Sequence, residues 1–199
     1  HIVCNAIVRS VYEKYGSVKL AVKKNNYSSV KQLYRDLDEM EFDQVVSDDE
    51  CIKNYGKSYI RLGFELTGPW EHSFYDQMGM DYRDRYDKFY IERDYDREAK
   101  LEEALDIPEE FCFVCDTTSE QTYDLPITSD LPRVNLRPIS DSIFDWIGVL
   151  EKAKEIHTVD TSVFHLIKQL QLKSSKFFYD VSRTTPPTFE DSNWNTVIL

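Results

Sequence analysis

The sequence is short of cysteine, glycine, basic charge and long apolar runs. Four cysteines in 199 residues are too few for a disulfide framework, so the sequence reads as a reducing, intracellular chain, and the expected location is cytoplasmic. No apolar stretch approaches the ~18–20 residues of a membrane span. The longest are residues 2–8, interrupted by Asn5, and residues 111–115. Basic side chains number 24 against 36 acidic ones, a net charge of −12. That balance argues against a nucleic-acid coat, which needs a basic footprint. The given sequence shows no secretory signal pattern, so none is expected, and the first residue is His1 rather than Met, which reads as a processed, tagged or truncated start.

What is present suits a folded chain. With 41% hydrophobic and 14% aromatic residues, the sequence is too rich in core-forming side chains for disorder. Its length allows one large α/β domain or two small ones. Val3, Ala6, Ile7 and Val11 recur at helical spacing before Gly16, and residues 18–22 then alternate as a strand. A helix capped by Ser28 carries Val30, Leu33 and Leu37; a strand over residues 42–46 ends in an acidic loop, residues 47–50. Residues 59–66 read as a strand closed by the turn Thr67-Gly68-Pro69, and residues 71–78 as a helix stopped by Gly79. A further helix starts near Asp94. Beyond Pro108 the expected order is strand 111–115, a polar loop, strand 133–136, and a helix capped by Ser140 or Asp141. Strand 155–159, helix 161–170 and strand 176–181 follow, and the tail 182–199 shows little periodicity. Strands alternating with helices imply parallel sheets, with a seam placing one domain at residues 1–92 and a second at 93–199.

The strongest chemical candidate is IHTVDTSVFHLI, residues 156–167. A strand ends there, Asp160 sits on the turn, and Thr161 and Ser162 open a helix whose free amides and positive dipole end suit a diphosphate. His165 falls one turn along on the same side as Thr161. The plainer reading makes Asp160 or Thr161 an ordinary helix cap and His165 a core residue. Asp94-Tyr95-Asp96 is a lone D-x-D, read as a helix cap rather than a metal pair. Cys112 and Cys115 form a C-x-x-C inside an apolar strand, without the further ligands zinc wants. No metal or other cofactor is expected.

The block Asp160-Thr161-Ser162-Val163-Phe164-His165-Leu166 resembles the D-[ST]-x-x-x-H-L signature of GT-B glycosyltransferases of the heptosyltransferase type. Residues 142–157 look like the helix and strand that lead into it, and residues 111–116 like the strand that opens the C-terminal domain. Residues 1–9, 29–37 and 74–94 look like the N-terminal domain of small glycosyltransferase-like proteins. The resemblance implies two Rossmann-like lobes (GT-B-like), parallel sheets flanked by helices, with the first strand of the N-terminal lobe missing. It implies metal-independent transfer of a sugar from a nucleotide sugar to an acceptor hydroxyl, with the acceptor on the N-terminal side. Donor-binding candidates are Asp160, Thr161, Ser162 and His165, with Asp116 and Thr117 on the loop after the first C-terminal strand. Arg137 and Arg183 are candidate cations for the diphosphate. The family's Gly-x-Gly-Asp loop, which carries the expected general base, is absent before His1, so no catalytic residue is assigned. Asp36, Asp43 and Asp48 are near in sequence, without spacing that aims them at a cleft. The alternatives are a non-catalytic module of the same fold, held for ligand or partner binding, and a different nucleotide-binding α/β protein.

Overall fold

The computed structural model describes residues 1–55, 59–62, 66, 68–181, 189 and 193–199. It is an α/β protein whose sheets are parallel and flanked by helices. Its backbone divides into two compact units, His1–Glu92 and Arg93–Leu199.

In the first unit, helix α1 (Asn5–Tyr15) ends at Gly16, whose φ of 74° turns the chain and aims its amide at the Tyr12 carbonyl, 2.7 Å away. Strands β1 (Val18–Lys23) and β2 (Met40–Val45) pair in parallel, Val18 opposite Met40, and α2 (Tyr27–Leu33) connects them. Helix α2 buries Val30 and Leu33, and Tyr34 is buried just past its end. The acidic segment after β2 is not the expected loop: it opens α3 (Asp48–Tyr55). Ser47 Oγ accepts from the Glu50 amide at 3.2 Å, and the Glu50 carboxylate accepts from the Val46 amide at 2.6 Å. The Ser47 bond is the forward half of an S-x-x-E cap, while the Glu50 carboxylate reaches the amide one residue before Ser47. Residues 59–62 and 66 are not strand, against expectation, and 63–65 and Thr67 lie outside the described residues.

Helices α4 (Trp70–Met78) and α5 (Asp84–Asp87) complete the unit around a polar core. Arg85 has no exposed surface and pairs with buried Glu71; Tyr82 donates to the same carboxylate at 2.8 Å and receives a bond from Arg85 at 2.7 Å. Val3, Ala6, Ile7 and Tyr75 enclose this cluster. Burial raises the Tyr82 hydroxyl far above its ordinary value, Arg85 opposing. A buried charge is tolerated only when paired and hydrogen-bonded, and here Arg85 and Tyr82 both donate to Glu71 Oε2.

In the second unit, α6 (Tyr95–Leu105) begins at Asp94, whose carboxylate accepts from the Arg97 amide at 3.2 Å; the D-x-D aspartate is a helix cap. Five parallel strands follow: β3 (Cys112–Cys115), β4 (Arg133–Asn135), β5 (Glu155–Thr158), β6 (Ser175–Asp180) and β7 (Trp194–Ile198). They lie in the order β4-β3-β5-β6-β7. The last was not expected. Yet Thr196-Val197-Ile198 is a β-branched run, and Trp194 packs edge-on against Phe164 at 5.3 Å, which ties this edge strand to the core.

Alternation along the strands sorts the side chains onto two faces. Phe113, Ile156 and Phe178 meet the helical side, where Ser142 caps a 3-10 turn leading into α7 (Ile147–Lys152), and where α8 (Ser162–Gln169) packs. Cys112, Val114, Val159 and Tyr179 face the other way, under Leu125 and its neighbours Tyr123, Ile127 and Leu131 from the loop after β3. Cys112 and Cys115 therefore sit on opposite faces of one strand, which is why their spacing makes no common site.

Candidate functional site

The connections of β3 settle where a ligand could enter the second unit. From β3 the chain passes to β4 on one side, then returns through α7 to β5 on the other side of β3. Two neighbouring strands whose connections leave in opposite directions open a crevice at their carboxyl ends, the place where ligands bind in open parallel sheets. Here that point lies beyond Cys115 of β3 and Thr158 of β5, which are register partners.

The residues lining it are those of the sequence motif. The Val159 amide donates to the Cys115 carbonyl at 3.1 Å, which fixes the start of the β5 turn against the end of β3. Asp160 is exposed, and its Oδ1 lies 3.3 Å from His165 Nε2. Thr161 takes an extended conformation, φ −147°, and its hydroxyl accepts from the Phe164 amide at 3.3 Å, so it caps α8. The same hydroxyl lies 3.6 Å from Cys115 Sγ. Ser162 is exposed at the first helical position. His165 is almost buried, and its amide bonds back to the Thr161 carbonyl at 3.2 Å. Thr161 is thus the helix cap, with one lone pair of its hydroxyl used for the Phe164 amide.

Across the crevice, Asp116 and Thr117 follow β3. The Thr117 hydroxyl donates to Asp116 Oδ1 and meets the Thr122 hydroxyl, each at 3.0 Å, while the Tyr123 amide returns to the Asp116 carbonyl. The loop is a tight local turn whose hydroxyls are partly engaged with one another. Arg137 is exposed two residues past β4, on the far side of β3 from β5. Arg183 lies outside the described residues. The structure therefore brings Asp116, Thr117, Asp160, Thr161, Ser162 and His165 to one edge and leaves Arg137 one strand away.

Two residues at this edge escaped the sequence reading. Cys115 forms the floor beneath Thr161; burial pushes its thiol up, while bonds from the Thr161 and Thr158 hydroxyls pull the other way. Asp180 ends β6 as a buried carboxylate beside β5. A lone acid closing the apolar run Phe177-Phe178-Tyr179 was the signal available for it.

A cavity of 490 Å³ lies at the opposite, amino end of the sheet, bounded by Ile107, Pro108, Phe111 and the pairs Glu102, Glu109 and Lys152, Lys154. Its lysines are exposed and bonded to glutamates, Lys152 to Glu102 and Lys154 to Glu110. The switch point in the strand order lies at the other, carboxyl end. Among the described residues no three His, Cys, Asp or Glu side chains group as a metal site, and no helix is long and apolar enough to cross a membrane. All four cysteines are free thiols. No family model, no curated protein and no solved structure matches this chain.

Proposed function

We propose that this chain is a GT-B-like, metal-independent glycosyltransferase of the cytoplasm that holds a nucleotide sugar at the carboxyl ends of β3 and β5. The observation that supports the reading is the coincidence of two independent features. The strand order puts its switch point there, the kind of place where ligands bind in open parallel sheets. The motif that resembles the donor-binding signature of heptosyltransferase-type enzymes, Asp160 to Leu166, falls at that same edge. In the reaction, the acceptor hydroxyl oxygen bonds to the anomeric carbon as that carbon's bond to the diphosphate breaks. A base takes the hydroxyl proton, and the leaving diphosphate keeps the electron pair. The α8 amides and the Ser162 hydroxyl would meet the departing charge, and Asp160, oriented by His165, would accept from a sugar or ribose hydroxyl.

The experiment is a titration of UDP, GDP and ADP followed by thermal unfolding and by chemical-shift changes at Ser162 and Val163. A binder at 100 times its Kd adds about 2.7 kcal/mol of stability. A transition unmoved by all three removes the donor-site assignment.

A second reading, a non-catalytic module of the same fold, has its own observation. Two acids of the first unit that could serve as bases are engaged: Asp36 in a two-pronged pair with Arg9, at 2.8 and 2.9 Å, and Asp43 with Lys19 at 3.0 Å and with Tyr55. A nucleotide-sugar hydrolysis assay separates the two, since a module binds the donor without releasing sugar.

A further inference from the structure

The cavity at the amino end of the five-stranded sheet lies wholly within the second unit. Its wall comes from three pieces of chain: the end of α6, the connection from α6 to β3, and the junction of α7 with β5. Asp106, with φ 48°, turns the chain out of α6 and starts that connection. Backbone bonds fix the other side. The Lys154 amide donates to the Phe111 carbonyl at 3.0 Å, the Ser175 amide to the Lys154 carbonyl at 3.1 Å, and the Ser174 hydroxyl to the Ala153 carbonyl at 2.7 Å. The space of 490 Å³ is therefore preformed, and it falls in the range of small-molecule sites, about 300–1,000 Å³.

Its floor is apolar and its rim carries both charges. Phe111 is buried, Ile107 is half-buried, and Pro108 brings no amide donor. Around them stand Glu102 and Glu109, Lys152 and Lys154. Lys152 pairs with Glu102 and Lys154 with Glu110, and both lysine side chains are more than half exposed. Exposed pairs of this kind contribute little, so either partner exchanges for a ligand's charge at small cost. Glu109 makes no ion pair among the described residues.

We propose that this cavity binds a free α-amino acid with an apolar side chain. A plain carboxylate meets the glutamates and a plain amine meets the lysines, so half of the rim opposes each of them. A molecule with an ammonium and a carboxylate on one carbon answers both, at the same close spacing that Lys152 and Glu102 keep with each other. In the complex the ligand carboxylate faces the Lys152 and Lys154 ammoniums, its ammonium faces Glu102 and Glu109, and its side chain covers Phe111 and Ile107. The site is independent of the nucleotide reading, which concerns the carboxyl end of the sheet.

The test titrates L-leucine into the chain and follows the amide chemical shifts of Ile107 and Lys154. Saturable shifts at both are expected at millimolar ligand or below. N-acetyl-L-leucine keeps only the carboxylate, L-leucinamide only the ammonium, and glycine both charges without the apolar body. Each should bind about tenfold or more weakly than L-leucine, the effect of one lost contact. Lys154→Met and Glu109→Gln, at exposed positions, should keep the far-ultraviolet spectrum and weaken L-leucine by a similar factor, whereas Thr161→Ala should leave its binding unchanged. No saturable shift with L-leucine overturns the proposal. Binding of N-acetyl-L-leucine and L-leucinamide as tight as that of L-leucine also overturns it, because the contact would then be apolar alone; glycine binding as tightly removes the apolar side chain from it. Undiminished L-leucine binding by both Lys154→Met and Glu109→Gln overturns it from the side of the protein.

Discussion

Single side chains here carry two duties, and Thr161 is the clearest case. Its hydroxyl caps α8 through the Phe164 amide and touches Cys115 across the crevice. Thr161→Ala is expected to cost about 1 kcal/mol of stability, the usual worth of such a cap, and to weaken the nucleotide response; Thr161→Ser should retain both. Urea midpoints with and without nucleotide check this. His157 shows the same economy away from the site. It is 2% exposed, stacked on Phe177 at 4.6 Å, with Nδ1 at 2.9 Å from the Tyr179 hydroxyl and Nε2 at 3.3 Å from Glu155. A carboxylate only accepts, so the proton sits on Nε2 and Nδ1 accepts from the tyrosine. Burial lowers its pKa below the ordinary 6.5, with Glu155 opposing. A folded pKa below the unfolded one means that the unfolded chain takes up the proton first. Stability is full above pH 6.5 and falls as pH drops through the depressed folded pKa. His157→Gln should flatten that part of the stability profile; an unchanged slope between wild type and variant would contradict the assignment.

At the scale of elements, the buried pair of α4 and α5 is the most exacting join. Glu71→Ala would leave Arg85 charged, enclosed and without its counter-ion, a change that typically costs 3–5 kcal/mol. The expected outcome is early loss of the first unit's tertiary signal in urea, read by fluorescence at Trp70. Replacing both partners with apolar residues of similar volume should cost far less, because the penalty comes from the orphaned charge. In the second unit, α7 meets α6 at Gly148, where an added Cβ would stand 2.6 Å from a Glu102 oxygen and 2.9 Å from one of Glu98. Glu98 is held by Arg93, so that approach has little freedom to relax.

For the molecule as a whole, charge and topology bear on the proposed nucleotide reading. A net charge of −12 leaves recognition of an anion to local devices, helix starts and amides, rather than to a basic field. Asp94, the first acid of the D-x-D, is spent on the α6 cap. Nucleotide stabilisation is therefore expected to persist in EDTA. Loss of that stabilisation in chelator, with recovery on adding Mn²⁺, would assign a metal to the donor site instead.

Much of the secondary structure was legible from periodicity and stops. Gly16 and Gly79 end their helices where the sequence placed them, and strands β1, β3, β5 and β6 coincide with apolar runs within a residue or two. Residues 47–50 misled because acids at a helix start look like a solvated loop until the bonds of Ser47 to Glu50 and of Glu50 to Val46 are seen. The β7 strand misled because an edge strand buries too little to show a strong pattern. By itself the sequence determined most of the helices and strands, though not α3 or β7, and that Asp160, Thr161 and Ser162 would stand at a strand's end, since these follow from local spacing and capping chemistry. The tertiary structure alone decided that β5 would lie beside β3 with β4 on the outside, and so that Asp116 and Cys115 would share an edge with Thr161. Strand order depends on which faces and edges find partners across long stretches of chain, and no local pattern records that choice.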